Sequence, residues 1–226
     1  MKTTAKKDTL IILSISFISA MFYIAFEGNI MEYGRNMERP LFFRFLPVLL
    51  IQFGMSCLGV IIVFVKNKEK LLEYGFVRKN ALLSIVLCML VAIPTVLFLW
   101  WTNDIQGFLP FQGMFLTKEV MNISFPMNVL GYVIIATVWG FGEGLFYVVL
   151  ADKINVIKKP KGIWNVGALV CALISILIHG MIGVDIKTII EGTVTFILMY
   201  GSLLIHEKTE NAWGNILIFF VVWNAL

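Results

Sequence analysis

The chain has 226 residues, of which 59% are apolar and 14% charged, and its formal net charge is +4. Soluble domains average about 45–50% apolar and about 25% charged, so a soluble enzyme, a disordered chain and a disulfide scaffold are excluded. The apolar residues form solid runs rather than alternating ones, which excludes a β-barrel and leaves an all-α polytopic membrane bundle.

Seven apolar segments follow in chain order, forming one integral membrane domain over residues 1–226. Segment 1 is Leu10–Phe26. Its basic start is similar to that of a signal peptide, but the run is long for one and no A-x-A site follows, so it reads as an uncleaved first span. Segment 2 is Leu41–Val65, interrupted by Arg44, and segment 3 is Ala81–Trp101. Pro47 and Pro94 fall inside these two and predict kinks. Segment 4, Met127–Leu150, carries Glu143. Segment 5, Val166–Val184, carries His179. Segment 6, Thr188–Ile205, carries Glu191. Segment 7, Ala212–Leu226, is short and carries Asn224. Trp100, Trp101 and Trp213 stand at segment ends as interface anchors. Cys57, Cys88 and Cys171 all lie within apolar runs and read as small buried hydrophobes.

Orientation follows from the basic residues. The N-terminus and the loops after segments 2, 4 and 6 hold 13 Lys and Arg, and the other side holds 5. The bias predicts a cell-membrane protein with a cytoplasmic N-terminus. No basic face on a soluble domain exists, so nucleic acid is excluded as a partner. The expected surroundings are membrane lipid.

Ionisable and polar residues within spans are rare because they cost about 2.5–3.5 kcal/mol at mid-helix. Each is therefore a candidate for function: Glu143, His179, Glu191 and Asn224, with Asp185 in the turn between segments 5 and 6. At 1.5 Å per residue, Glu143 lies about 10 Å from the cytoplasmic end of its segment, Asn224 roughly 15–18 Å into segment 7 and His179 about 20 Å into segment 5. One polar layer is compatible with these depths. So is a hairpin around Asp185 that pairs His179 directly with Glu191 as a local link between helices. Gly131, Gly140, Gly142 and Gly144 surround Glu143. They fit close helix packing, a backbone-lined cavity, or both.

The run Trp139-Gly140-Phe141-Gly142-Glu143-Gly144-Leu145-Phe146-Tyr147 resembles the Glu-Glu-x-x-x-Arg motif of the CPBP (CAAX protease and bacteriocin-processing) intramembrane proteases. Ser175-Ile176-Leu177-Ile178-His179 is similar to the family's F-x-x-x-H, and Phe220-Val221-Val222-Trp223-Asn224, after Trp213, to its H-x-x-x-N. Glu73-Tyr74-Gly75-Phe76 is similar to a frequent linker of the family. The resemblance covers roughly residues 70–226. It implies cleavage of membrane-embedded or lipidated peptides, with Glu143 as the base that activates water and His179 and Asn224 as polarising groups. Tyr147 and Glu191 are supporting candidates. One glutamate acting with oxyanion donors is sound chemistry.

The departures are specific. Glycine replaces one glutamate, Tyr147 the arginine, Ser175 a phenylalanine and Phe220 the second histidine. A divalent metal such as zinc would have His179 and Glu143 as ligand candidates, whereas catalytic zinc normally keeps three protein ligands. Three readings follow: a CPBP-type endopeptidase, catalytically impaired or active; a non-catalytic immunity or regulatory protein that binds a membrane protein partner; and a small proton- or ion-coupled transporter subunit.

Overall fold

The structure, a computed structural model, describes residues 2–105, 107–181 and 183–225. Among these residues it is all-α, with eight helices, no strand and one isolated bridge, Lys161 to Trp164. The helices are α1 (Lys2–Arg35), α2 (Leu41–Asn67), α3 (Ala81–Trp101), α4 (Thr117–Asn122), α5 (Met127–Ile157), α6 (Val166–Ile178), α7 (Ile186–Thr209) and α8 (Trp213–Trp223). α1, α2, α3, α5 and α7 are long and apolar enough to cross a membrane. Leu10, Phe17, Ile24, Leu82, Leu90 and Val133 leave their side chains exposed. An exposed apolar surface on this scale needs lipid rather than water.

The seven expected spans therefore resolve into five long helices and two short ones. α6 has 13 residues, which reach about 20 Å against a hydrocarbon core of roughly 30 Å. Segment 5 does not continue to Val184. It ends at Ile178, where His179 caps the helix and Gly180 follows at φ 66°. A left-handed glycine after the last helical residues is a standard stop, because it carries no Cβ to clash there. Ile182 of segment 5 and Leu226 of segment 7 lie outside the described residues. Pro47 and Pro94 both sit within continuous helix.

Local sequence explains the other boundaries. Asn165 and Asp185 cap α6 and α7, accepting from the backbone N–H of Ala168 (2.8 Å) and Thr188 (3.0 Å); such caps are worth about 1 kcal/mol. The main core gathers α1, α2, α5, α6, α7 and α8 around residues such as Ile12, Val63, Val149, Cys171, Leu203 and Phe219. All three cysteines are buried and free.

α1, α2, α3 and α5 alternate in direction and α7 runs the same way as α5, its His206 beside Asp152 near the end of α5, which gives the bundle two polar ends. At one end, Asp8 of α1 meets Lys66 of α2 and Lys153 of α5, each at 3.0 Å, and Lys153 also reaches Glu69 at 2.5 Å. At the other, Arg44 is buried and paired through two nitrogens with Glu119 of α4, and also donates to the Gly34 and Arg39 carbonyls. The loop between α3 and α4 closes this second end. Leu109 N–H and the Gln112 amide both donate to the Ala225 carbonyl, at 3.2 and 3.1 Å.

Candidate functional site

The short helices create the space for a site. α6 and α8 are short, and residues at their ends, Ile178, His179, Val222 and Trp223, line a cavity of about 430 Å³. That volume falls within the roughly 300–1,000 Å³ usual for ligand pockets. Glu143, Tyr147, His179, Glu191 and Asn224 all line it. The five residues singled out in the sequence, from four segments, thus face one space.

Glu143 follows the π-helical turn Ala136–Gly142 of α5 and is 7% exposed. The side chains of Trp223 and Asn224 stand beside its carboxylate. The two N–H groups of Asn224 are committed to backbone carbonyls, Trp139 at 3.3 Å and Phe219 at 3.0 Å. Asn224 therefore holds α5 and α8 together more than it offers a free donor to a substrate.

His179 sits at the end of α6. Its Nδ1 lies 2.8 Å from the Ser175 carbonyl and its ring meets Trp223 edge-on at 4.8 Å. A carbonyl only accepts, so Nδ1 carries the proton and donates, leaving Nε2 as the acceptor of the neutral ring. The direct His179–Glu191 pair expected from a hairpin is not formed. The helix ends before it, and the ring turns back onto its own last turn. Tyr147 is buried and stacks on Phe219 (5.7 Å, 13° between planes). Phe220, in the place of the second histidine, packs against Phe111 at 5.2 Å and is absent from the cavity wall.

The glycines around Glu143 mark close packing. A Cβ on Gly131 would lie 2.6 Å from Val120, and one on Gly144 2.7 Å from Ile216. On Gly140 it would lie 2.6 Å from Phe220, and on Gly142 it would overlap Cys57 Sγ. The chain matches no family model, no curated protein and no solved structure.

A resident metal does not fit the donor set. Among the described residues no three His, Cys, Asp or Glu side chains converge to hold an ion, and catalytic zinc takes three protein ligands.

Sequence reasoning missed Gln52, Ser56, Thr95 and Trp139, which also line the cavity. Gln52 and Ser56 come from segment 2, which carries no resemblance. Their only signal was polarity inside an apolar run. It also missed the π-helical turns Gly54–Leu58, Ala136–Gly142 and Phe219–Trp223, whose residues Met55, Trp139 and Trp223 form part of the wall. Such turns occur often at functional sites.

Proposed function

We propose that the chain is a CPBP-type intramembrane endopeptidase of the cell membrane, with its N-terminus in the cytoplasm, acting on a membrane-embedded or lipidated peptide in the Glu143 cavity. The observation that carries this reading is the convergence of Glu143, His179, Tyr147 and Asn224 on one cavity. Glu143 takes a proton from water, the water oxygen attacks the peptide carbonyl, and the proton passes to the departing amine. His179 offers Nε2 as a further acceptor in the cavity wall. The donors on the cavity wall that would serve the oxyanion are the Trp223 indole, the Gln52 amide and the Tyr147 hydroxyl. The excess of Lys and Arg on one side supports the orientation.

One observation favours a second reading, a catalytically impaired protein that binds a membrane protein partner. The Asn224 donors are already bonded to carbonyls, which removes one polarising group from the reaction. A cleavage assay with reconstituted protein separates the two. An active endopeptidase loses all cleavage in Glu143→Gln. Normal cleavage in that variant sinks the catalytic reading, and a cellular phenotype that survives it supports the impaired one.

A further inference from the structure

We propose that Glu191 sets the specificity of the cavity by receiving an ammonium or guanidinium group carried on the membrane-embedded peptide. The inference rests on the proposed function only in having a peptide reach this cavity.

Several carboxylates outside the cavity sit beside cations. Asp8 is paired with Lys66 and Lys153, Glu69 with Lys153, Glu119 with Arg44, Asp104 with Lys187, and Asp152 with His206. The cavity differs. It carries two carboxylates, Glu143 and Glu191, and no Lys or Arg lines it among the described residues. Glu143 is more than nine-tenths buried and turns its carboxylate onto this space. Lys187, one turn before Glu191 on α7, is already engaged with Asp104 at 3.3 Å.

The backbone adds to the same sign. α6 ends at Ile178 and α8 at Trp223, and residues at both ends lie on the wall. Helix C-termini carry partial negative charge and favour cations. Trp139, Trp223 and Phe98 supply aromatic faces, which attract cations when desolvated. The Glu191 carboxylate, two helix C-termini and aromatic walls make a site for an organic cation. An inorganic ion fits less well, since three ligating side chains do not converge.

Position assigns the role to Glu191 rather than Glu143. Glu191 is half-buried and lies five residues into α7, about 7.5 Å from its start. Glu143 is buried deeper, beside Trp223 and Asn224. A lysine on an apolar peptide extends a flexible stem past apolar surface to place its charge, and it meets Glu191 on entering from that end.

The test uses the full chain in phosphatidylcholine nanodiscs and two labelled apolar peptides, identical except for one lysine or one N-acetyl-lysine. The lysine peptide binds about tenfold tighter or more, the size of one charge-assisted hydrogen bond. Glu191→Gln removes that preference and Glu191→Asp, which keeps the charge, retains it. Equal binding of the two peptides by the wild-type chain overturns the proposal, as does a preference that survives Glu191→Gln. Exchanging phosphatidylcholine for phosphatidylethanolamine, whose headgroup carries a primary ammonium, leaves the preference unchanged. Its loss there assigns the site to a lipid headgroup and overturns the peptide assignment. The readout is binding, so failure of hydrolysis and failure of this preference are separate results.

Discussion

Replacing Lys153 with methionine removes the ammonium that joins α1, α5 and the linker after α2, while keeping most of the side-chain bulk. Its Nζ lies 3.0 Å from Asp8 and 2.5 Å from Glu69, and the side chain is 9% exposed. Breaking one side of a buried ion pair costs about 3–5 kcal/mol, because the partner charge stays buried without compensation. Two features lower the figure here. Asp8 keeps Lys66 at 3.0 Å and Asn67 at 2.8 Å, and Lys66 is 44% exposed, so solvent screens what remains. Glu69 keeps the Tyr74 hydroxyl at 2.6 Å and Asn67 at 3.0 Å. The expected loss is about 2–3 kcal/mol. At about 2–4 °C per kcal/mol for a chain of this size, the melting temperature falls by about 4–12 °C. The assay is thermal unfolding of wild type and variant in one detergent. In the double variant with Asp8→Asn the losses fall short of additive by about 1 kcal/mol or more. An unchanged melting temperature, or strict additivity, refutes the reasoning. Peptide binding is unaffected, since the cluster lies at the end of the bundle away from the cavity.

Gly144→Val places a branched side chain where a Cβ alone would lie 2.7 Å from Ile216 Cδ1 and 3.3 Å from its Cα. The expected cost is about 1–3 kcal/mol, with loss of peptide binding as α8 moves Trp223 and Asn224 away from Glu143. Asn224→Asp keeps the shape but cannot donate to the Trp139 and Phe219 carbonyls. It lowers the melting temperature as much as Asn224→Ala, whereas a rescue by aspartate refutes the clamping role. The Tyr74 hydroxyl is held above the ordinary tyrosine range by burial and by the Glu69 carboxylate it donates to. The folded state therefore favours its protonated form, and that stabilisation is present below about pH 10 and is lost as pH rises beyond it. Melting curves between about pH 8 and 11 steepen in wild type relative to Tyr74→Phe, and parallel curves reject the assignment.

Segment 3 is legible at both ends, Ala81 and Trp101, because polar loops bound an uninterrupted apolar run. The early stop of α6 was also written in the chain, as Gly180 directly after His179, but the apolar residues beyond it masked the signal. Arg44 reads as a fault in segment 2 until Glu119, 75 residues away, is folded against it. Asp8 and Lys153 are 145 residues apart and lie just outside the first and fourth apolar segments. Nothing local marks such partners, since their worth comes from being brought together in a site with little water. The site residues were legible for the opposite reason. A carboxylate or imidazole in an apolar run costs enough to stand out singly, and Glu143, His179 and Glu191 needed no partner to be noticed.

The π-helical turns explain why the polar residues around the cavity are where they are. Such a turn inserts a residue, widens the helix and frees a carbonyl from its usual partner. In a membrane that carbonyl must be satisfied from within the protein. Around Gly54–Leu58, Ser56 donates to the Gln52 carbonyl at 2.9 Å and Ser16 to that of Met55 at 2.6 Å. Around Ala136–Gly142, Thr137 donates to the Val133 carbonyl at 2.8 Å and Asn224 to that of Trp139. Around Phe219–Trp223, Asn224 donates again, to Phe219 five residues before it. Asn224 thus serves two of the three turns at once, which ties the end of α8 to α5 one turn before Glu143. The cavity and its polar wall have one structural origin. Widened and shortened helices open the space, and the side chains that repair their backbone fix the carboxylate's surroundings.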